Sequence, residues 1–164
     1  MPDHDAAGLA AKVLTVSDGV IHGTREDKSG GALVELFASH GYDVVDQRVV
    51  ADGIENVSQA LIDLAADFVG VIVTTGGTGF GPRDLTPEGT RLVLEREAPG
   101  LAEAMRLSND KGLGRLSRAL AGTRGHALIL NAPGSPNGAV ETVTAVIDII
   151  PHAVRLMSAA PTDH

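Results

Sequence analysis

Residues 68–88 read FVGVIVTTGGTGFGPRDLTPE and give the clearest indication of the fold in the sequence. Its first part, residues 68–74, is a short apolar run, which is typical of a strand in a parallel sheet with both faces covered. The glycine-rich residues 74–79 follow directly and let the backbone bend tightly. Residues 86–88, Thr-Pro-Glu, combine a helix N-cap, a proline at the first helical position and an acid in the first turn. The stretch therefore predicts a buried strand, a glycine-rich loop and a helix in succession.

The flanking sequence continues this alternation of strands and helices. Further strands are predicted at residues 11–16, 42–50 and 126–130. Further helices are predicted at residues 29–40 with Ser29 as N-cap, after residue 53, at 101–107 and at 139–157 with an interruption at Pro151, and the helix from residue 86 is expected to end near residue 98. This order predicts an α/β fold, a three-layer α/β/α sandwich with a mostly parallel central sheet. Residues 11–158 are predicted to form a single domain, with residues 1–10 and 159–164 as flexible termini.

The composition limits the classes of function that the chain can serve. With 164 residues it can bury a core without disulfides, and it has no cysteine for a disulfide, a thiolate nucleophile or a thiolate zinc site. Its formal net charge of −8, with three Phe, one Tyr and no Trp, argues against nucleic-acid binding. An acidic protein can hold a phosphate only by local means: backbone N–H groups, a helix N-terminus, a few basic side chains or a divalent cation.

The location of the protein is also predicted from the sequence. The first residues, Met-Pro-Asp-His-Asp, are acidic and lack the apolar segment of a secretory signal. The longest apolar runs are far shorter than the roughly 20 residues that cross a bilayer. We therefore expect a cytoplasmic protein that does not contact membranes.

Several polar or glycine-rich segments follow the ends of predicted strands. Ser17 and Asp18 follow the first strand, Asp52 follows the second, residues 74–79 follow the third and residues 133–138 follow the last. The carboxyl ends of parallel strands lie at one edge of a sheet, where ligands of open α/β sheets bind. The sequence therefore predicts that these segments form one ligand-binding edge.

The glycine loop itself does not match the common nucleotide-binding patterns. It lacks the Gly-Lys-Ser/Thr ending of a Walker A loop and the G-x-G-x-x-G spacing. We expect its Gly77 and Gly79 to approach the ligand closely, so that a Cβ at either position blocks the ligand and leaves the fold intact. A plain strand-to-helix turn is the alternative explanation.

Other candidate residues have two possible roles at this stage. Asp18 either tethers its own loop or contacts the ligand, Arg83 either reaches the ligand or forms a surface ion pair with Asp84, and Arg118 either reaches a phosphate or is a surface cation. Ser135 lacks the G-x-S-x-G context of a hydrolase nucleophile, and the histidines lack metal-ligand spacing.

The segment Thr75-Gly76-Gly77-Thr78-Gly79, followed by Arg83-Asp84-x-Thr86-Pro87-Glu88, resembles the signature of the MogA/MoaB family of molybdopterin-binding proteins, which includes the G domains of gephyrin-like proteins. Similar family segments fall at residues 15–18, 50–52, 98–101, 116–118, 125–130 and 133–136. The resemblance covers residues 13–157. One departure is Ala51, where many members have proline before the aspartate.

The resemblance implies an α/β/α sandwich that forms a homotrimer and acts in molybdenum cofactor biosynthesis. In the MogA type, the protein binds molybdopterin and adenylylates its terminal phosphate with Mg-ATP, releasing pyrophosphate, and a partner protein can then insert molybdate. In the MoaB type, the protein binds molybdopterin or its precursor without activating it, and a G-domain-like scaffold is a related alternative. A nucleotide-binding domain of the CinA type is a more distant possibility, and the sequence of residues 83–88 argues against it.

The resemblance also assigns site residues, which join those found at the strand ends. The expected molybdopterin- and nucleotide-binding residues are Ser17, Asp18, Thr75, Gly76, Gly77, Thr78, Gly79, Arg83, Ser117, Pro133, Gly134, Ser135 and Pro136. The expected catalytic residues are Asp52 and Asp84. A carboxylate can hold Mg²⁺ on a triphosphate or accept the N–H groups of a pterin. The sequence does not decide which aspartate does which, and the working assignment gives Mg²⁺ to Asp52 and the pterin to Asp84.

Overall fold

The computed structural model describes residues 5–109 and 111–158. Its strands are β1 (Ala10–Val16), β2 (Asp43–Val50), β3 (Val69–Thr75), β4 (Arg96–Glu97), β5 (Ala121–Arg124) and β6 (His126–Ala132). They form a six-stranded sheet in the order β2-β1-β3-β6-β5-β4. Strands β2, β1, β3 and β6 are parallel, and β5 runs antiparallel to both β6 and β4. The predicted mostly parallel sheet is confirmed.

The helices connect these strands and cover both faces of the sheet. They are α1 (Asp18–Ile21), α2 (Lys28–Ser39), α3 (Ile54–Ala65), α4 (Thr86–Val93), α5 (Pro99–Leu107), α6 (Pro136–Thr144) and α7 (Ile150–Met157), with a 3₁₀ turn at Leu113–Leu116. Among these helices none has the length and apolar character of a membrane span.

Two apolar clusters sandwich the sheet. Alternate residues of β3 point to opposite faces: Val71 and Val73 join the cluster under α2, α6 and α7, whereas Ile72 joins the cluster under α3 and α4. All three side chains are fully buried. The run of apolar residues that predicted β3 therefore arises because both faces of this strand are covered, and the three-layer α/β/α fold is confirmed.

The structure corrects the prediction for residues 94–124. Helix α4 ends at Val93 rather than near residue 98, because the chain becomes extended at Leu94. The N–H groups of Glu95 and Ala98 then donate to the carbonyls of Thr123 and Ala121, at 2.8 Å each. Pairing between β4 and β5 therefore replaces the last helical turn, and neither of these short strands is marked by an apolar run in the sequence.

Helix starts are also corrected. The N-cap of α2 is Asp27, whose carboxylate accepts the Gly30 N–H, rather than Ser29. Thr86 lies inside α4, which follows Leu85 without a side-chain cap. The expected long C-terminal helix is two helices, α6 and α7, and Pro151 lies in the first turn of the second, where its missing N–H costs nothing.

The chain before β1 contacts the core. Ala6 is 6% exposed within the cluster under α2, and the Leu9 carbonyl accepts the Asp43 N–H at 2.9 Å. Strand β1 begins at Ala10, one residue before the predicted domain start. Residues 1–4 and 159–164, which belong to the termini predicted to be flexible, lie outside the described residues.

Candidate functional site

A cleft of about 870 Å³ opens where β1, β2, β3 and β6 end. The structure brings most of the predicted site residues together on its wall: Ser17, Asp52, Thr75, Gly76, Gly77, Thr78, Gly79, Asp84, Pro133, Gly134, Ser135 and Pro136. The carboxyl-end rule for parallel strands predicted this gathering correctly. Asp18, Arg83 and Ser117 are not among the lining residues.

The glycine loop is fixed to the start of α4 from within. Gly76 and Gly77 have φ angles of +102° and +69°, which favour glycine. The Thr86 hydroxyl donates to the Gly76 carbonyl at 2.9 Å, and the Thr86 N–H donates to the Gly77 carbonyl at 3.1 Å. The threonine expected to cap α4 therefore holds the loop instead.

The two glycines singled out by sequence have different roles. A Cβ on Gly77 would lie 2.2 Å from Thr86 Oγ1 and 3.1 Å from Asp52 Oδ1, so it would collide with the protein itself. The expectation that a Cβ at Gly77 leaves the fold intact is therefore wrong, whereas Gly77 lines the cleft and its close approach to a ligand stays a prediction. A Cβ on Gly79 would approach only the carboxylate of Asp84, with Oδ2 at 3.0 Å, so a ligand-facing role for Gly79 stays a prediction.

Asp52 is held by the loop that follows β1. Its Oδ2 accepts the Asp18 N–H at 2.9 Å, and its own N–H donates to Asp18 Oδ1 at 3.1 Å. Its Oδ1 has no hydrogen-bond partner among the described residues and lies beside Gly77 of the glycine loop. One carboxylate oxygen of Asp52 is therefore fixed, and the other is available to a ligand.

Arg83 forms its hydrogen bonds with Asp18 and Asp52 and not with the adjacent Asp84. Its Nε donates to Asp18 Oδ2 at 3.0 Å, its Nη2 donates to Asp18 Oδ1 at 3.1 Å, and its Nη2 also donates to the Asp52 carbonyl at 2.9 Å. The proposed surface pair between Arg83 and the adjacent Asp84 is thus corrected. Asp18 tethers its loop, as one of its two possible roles predicted, and both residues contact Asp52 from outside the cleft wall.

Burial raises the pKa of Asp52, and the nearby Asp18 and Asp84 carboxylates raise it further, against the Asp18 N–H and the Arg83 charge. The hydrogen bond from Arg83 lowers the pKa of Asp18. The two aspartates thus have opposite pKa shifts. An ionised Asp52 in this cleft favours the approach of a cation.

Asp84 is also fixed through one oxygen. Its Oδ2 accepts the Gly81 N–H at 2.8 Å, and its own N–H donates to the Gly81 carbonyl at 3.0 Å. Its Oδ1 has no hydrogen-bond partner among residues 5–109 and 111–158. Asp84 and Asp52 both line the cleft, and each has one carboxylate oxygen without a hydrogen-bond partner among the described residues.

Arg118 clamps the glycine loop to α4. Its Nε donates to the Gly79 carbonyl at 2.9 Å, its Nη2 to the Asp84 carbonyl at 2.6 Å, and its Nη1 to Glu88 Oε2 at 2.6 Å. The Arg118 N–H also donates to the Thr78 carbonyl at 3.0 Å. Arg118 is therefore a partly exposed cation whose guanidinium is engaged by the glycine loop and α4. It orients the loop that carries the site.

Ser117 lies apart from the main cleft. It lines a smaller cavity of about 180 Å³ between α5, the 3₁₀ turn and α6, and its Oγ accepts the Ala119 N–H at 3.2 Å. That cavity shares Pro133 and Ser135 with the main cleft. The predicted site is thus divided, with the 133–136 turn between its two parts.

Sequence reasoning missed one part of the cleft wall. The residues are Thr15, Arg25, Glu26, Asp27, Lys28 and Ser29, at the end of β1 and at the start of α2. The sequence offered one indication of this wall, namely that Arg25 and Lys28 are two basic residues close together in the first loop of an acidic chain. Their place on the wall depends on how α2 packs, which adjacency in the sequence does not show.

A family model described as a probable molybdopterin binding domain matches residues 12–152, which include every residue lining the cleft. The chain belongs to this molybdopterin-binding family. A molybdopterin adenylyltransferase of Helicobacter pylori (strain J99) is 37% identical over 150 residues, which cover 88% of this chain and 85% of that protein. Molybdenum cofactor biosynthesis protein B of Bacillus cereus is 37% identical over 137 residues, covering 80% and 79%.

A solved structure gives the same result for the fold. The crystal structure of the molybdopterin biosynthesis enzyme MoaB from Thermus thermophilus superimposes with a TM-score of 0.85 at 44% identity, covering 94% of this chain and 99% of that chain. The resemblance drawn from the signature residues is thereby confirmed. Proteins similar to this chain include one named molybdopterin adenylyltransferase and one named MoaB.

Proposed function

We propose that this chain is a molybdopterin adenylyltransferase of molybdenum cofactor biosynthesis. In this reaction a terminal phosphate oxygen of molybdopterin bonds to the α-phosphorus of ATP, the bond from that phosphorus to the β-phosphate bridge breaks, and pyrophosphate leaves. The observation that carries the proposal is the pairing of Asp52 and Asp84 with a glycine loop in one cleft. The name of the Helicobacter pylori relative supports it.

The residues of the cleft suit the main difficulty of this reaction, which is to bring two polyanions together. The nucleophile is a phosphate monoester that is already anionic, so no strong general base is needed, and catalysis depends on positioning and charge neutralisation. Backbone N–H groups of the glycine loop can orient phosphates. The N-terminus of α6, capped by Ser135, faces the same space.

The donor set also fits Mg²⁺. This ion binds through one or two carboxylates together with phosphate oxygens and water, and the described residues offer no larger cluster of ligating side chains. Asp52 would hold the ion through its available Oδ1, since a cation offsets the burial and carboxylate repulsion that raise its pKa. When bound, Mg²⁺ neutralises phosphate charge.

Asp84 has the complementary role in this proposal. Its Oδ2 is occupied by the Gly81 N–H, and its Oδ1 would accept an amide-like N–H group of the pterin ring. A hydrogen bond from an N–H donor to an ionised carboxylate is charge-assisted and therefore strong. Residues 133–136 and Ser117 complete the walls around the rest of the molecule.

The proposal also covers the location, the oligomeric state and the partner of the enzyme. We propose a cytoplasmic homotrimer that hands its adenylylated product to a molybdate-inserting partner protein. Light scattering of the purified chain at micromolar concentrations tests the trimer. A mass near 17 kDa at all dilutions contradicts the assembly and leaves the activity untouched.

A binding protein of MoaB type is the second candidate, since the Thermus thermophilus structure carries the MoaB name and the Bacillus cereus relative is named molybdenum cofactor biosynthesis protein B. Purified protein incubated with molybdopterin, Mg-ATP and pyrophosphatase separates the two functions. Appearance of adenylylated molybdopterin, identified by mass, is the expected result. Bound molybdopterin without any product supports the MoaB-type alternative.

A further inference from the structure

The basic side chains of this chain are almost all engaged by protein groups. Hydrogen bonds or ion pairs to carboxylates, carbonyls or a hydroxyl occupy Lys12, Arg48, Arg83, Arg91, Arg96, Arg106, Arg115, Arg118, Arg124 and Arg155. Among the described residues, Arg25, Lys28 and Lys111 have no such partner. Arg25 and Lys28 line the main cleft, whereas Lys111 does not.

The fold places these two cations across the cleft from the catalytic aspartates. Helix α2, which begins at Lys28, packs on the sheet face that carries α6 and α7. Asp52 and Asp84 precede α3 and α4, which pack on the opposite face. The glycine loop, at the end of the central β3, lies between the two walls.

The two acids between Arg25 and Lys28, Glu26 and Asp27, also line the cleft, but neither forms an ion pair with these cations among the described residues. Asp27 accepts hydrogen bonds from Thr15 Oγ1, at 2.9 and 3.0 Å, and from the Gly30 N–H, at 3.0 Å. It therefore caps α2 and satisfies that helix end internally. No ion pair joins Glu26 to either cation within the described part of the chain.

We propose that Arg25 and Lys28 form the phosphate-binding wall of the cleft, the cationic wall, which holds phosphate groups opposite the carboxylates of Asp52 and Asp84. The inference rests on the proposed function for the identity of its ligand. Two sources supply the same chemistry: the triphosphate of ATP and the phosphate monoester of molybdopterin. In a chain of net charge −8, two unpaired cations on one wall orient a polyanion by keeping its charge away from the opposing carboxylates.

Binding measurements on charge-removing variants test the cationic wall. Arg25→Gln, Lys28→Gln and the double variant are titrated calorimetrically with inorganic tripolyphosphate, ATP and molybdopterin. Lys111→Gln is the matched control, because it removes another exposed, unpaired cation away from the cleft. We expect each single variant to weaken phosphate binding about fivefold and the double variant roughly twentyfold, with a shallower salt dependence. Lys28→Arg and Lys111→Gln should bind as the wild type does.

The pattern of losses identifies the source of the phosphate. Weaker ATP and tripolyphosphate binding with unchanged molybdopterin binding supports a wall for the triphosphate, and the reverse pattern supports a wall for the monoester. A double variant that binds all three ligands like the wild type overturns the inference, as does a wild type that binds none of them. Failure of the proposed function gives a different result, in which the wild type binds the ligands and forms no adenylylated molybdopterin.

Discussion

Asp18 and Asp52 each donate a backbone N–H to the carboxylate of the other, at 2.9 and 3.1 Å, and so join the ends of two neighbouring strands. This reciprocal pair fixes one oxygen of Asp52 and leaves the second beside the glycine loop. Arg83 supplies the positive charge that lets two carboxylates lie so close together. The orientation of the proposed catalytic carboxylate therefore depends on residues that do not line the cleft.

Arg83→Gln is expected to raise the pKa of Asp52 further. Burial already raises it, and the charge of Arg83 opposes that rise. Turnover in this proposal needs ionised Asp52. In the variant Asp52 therefore becomes protonated at a higher pH, and the loss of the single-turnover rate on the acid side of the pH profile begins at a higher pH. Carboxyl NMR titration of wild type and variant measures the shift directly, and an Asp52 pKa that is unchanged or lower in Arg83→Gln contradicts this electrostatic account.

Arg83→Gln is also expected to change how the free energy of unfolding depends on pH. Arg83 lowers the pKa of Asp18, so the pair contributes stability above the ordinary carboxyl pKa, and this contribution is lost as pH falls through the folded-state pKa of Asp18. The difference between wild type and Arg83→Gln in urea denaturation should therefore be present at neutral pH and shrink at acidic pH. A stability difference between wild type and variant that grows as the pH falls would contradict a stabilising ion pair between Arg83 and Asp18.

Gly77→Ala is expected to destabilise the protein by about 2 kcal/mol or more. Its φ of +69° costs a Cβ-bearing residue roughly 1 kcal/mol, and the added Cβ lies 2.2 Å from Thr86 Oγ1. Gly79→Ala is the matched control, since its Cβ meets only the end of the Asp84 side chain. Urea denaturation should separate the two variants, and equal stabilities would show that the loop tolerates a side chain at residue 77.

Arg118→Met should loosen the glycine loop. It removes hydrogen bonds to the Gly79 and Asp84 carbonyls and to Glu88, and we expect about tenfold weaker molybdopterin binding with a stability loss of about 1 kcal/mol. Arg118→Lys should not restore binding, because an ammonium does not reproduce the planar guanidinium fork. Arg91→Met is the control, since its ion pair with Glu97 is exposed and should contribute little. Equal affinities for Arg118→Met and Arg91→Met would rule out the clamp.

The strand–loop–helix unit at residues 68–88 could be predicted because a strand covered on both faces must be apolar throughout and its loop needs glycine. Strands β4 and β5 could not, since they have two and four residues, and pairing within the sheet rather than side-chain pattern forms them. Because this pairing could not be predicted, α4 was expected to continue to about residue 98, although it ends at Val93.

The candidate site was predictable where it follows chain order. The strand-end rule gathered Ser17, Asp52 and the glycine loop correctly. The partner of Arg83 was not predictable, because Asp18 lies 65 residues away in the sequence, whereas Asp84 is adjacent. Arg25 and Lys28 reach the cleft through the packing of α2, which a single sequence does not specify.

Asp84→Asn should mainly weaken the binding of molybdopterin. The variant keeps the size of the side chain and removes the charge that accepts the pterin N–H groups, which corresponds to about 1.5–3 kcal/mol of binding free energy. Fluorescence titration with molybdopterin measures the loss. Unchanged affinity, together with a native circular dichroism spectrum, would remove Asp84 from the pterin site.

The most direct test is the single-turnover rate of adenylylation by wild type and Asp52→Asn, with molybdopterin saturating and Mg-ATP in excess. The wild type should form adenylylated molybdopterin. Asp52→Asn should form it roughly 10²–10³-fold more slowly, the scale for loss of one electrostatic stabiliser of a transition state, while its affinity for molybdopterin changes little. A wild type that binds molybdopterin and forms no product, or an Asp52→Asn variant as fast as the wild type, contradicts the proposal that this cleft transfers adenylyl groups through Asp52.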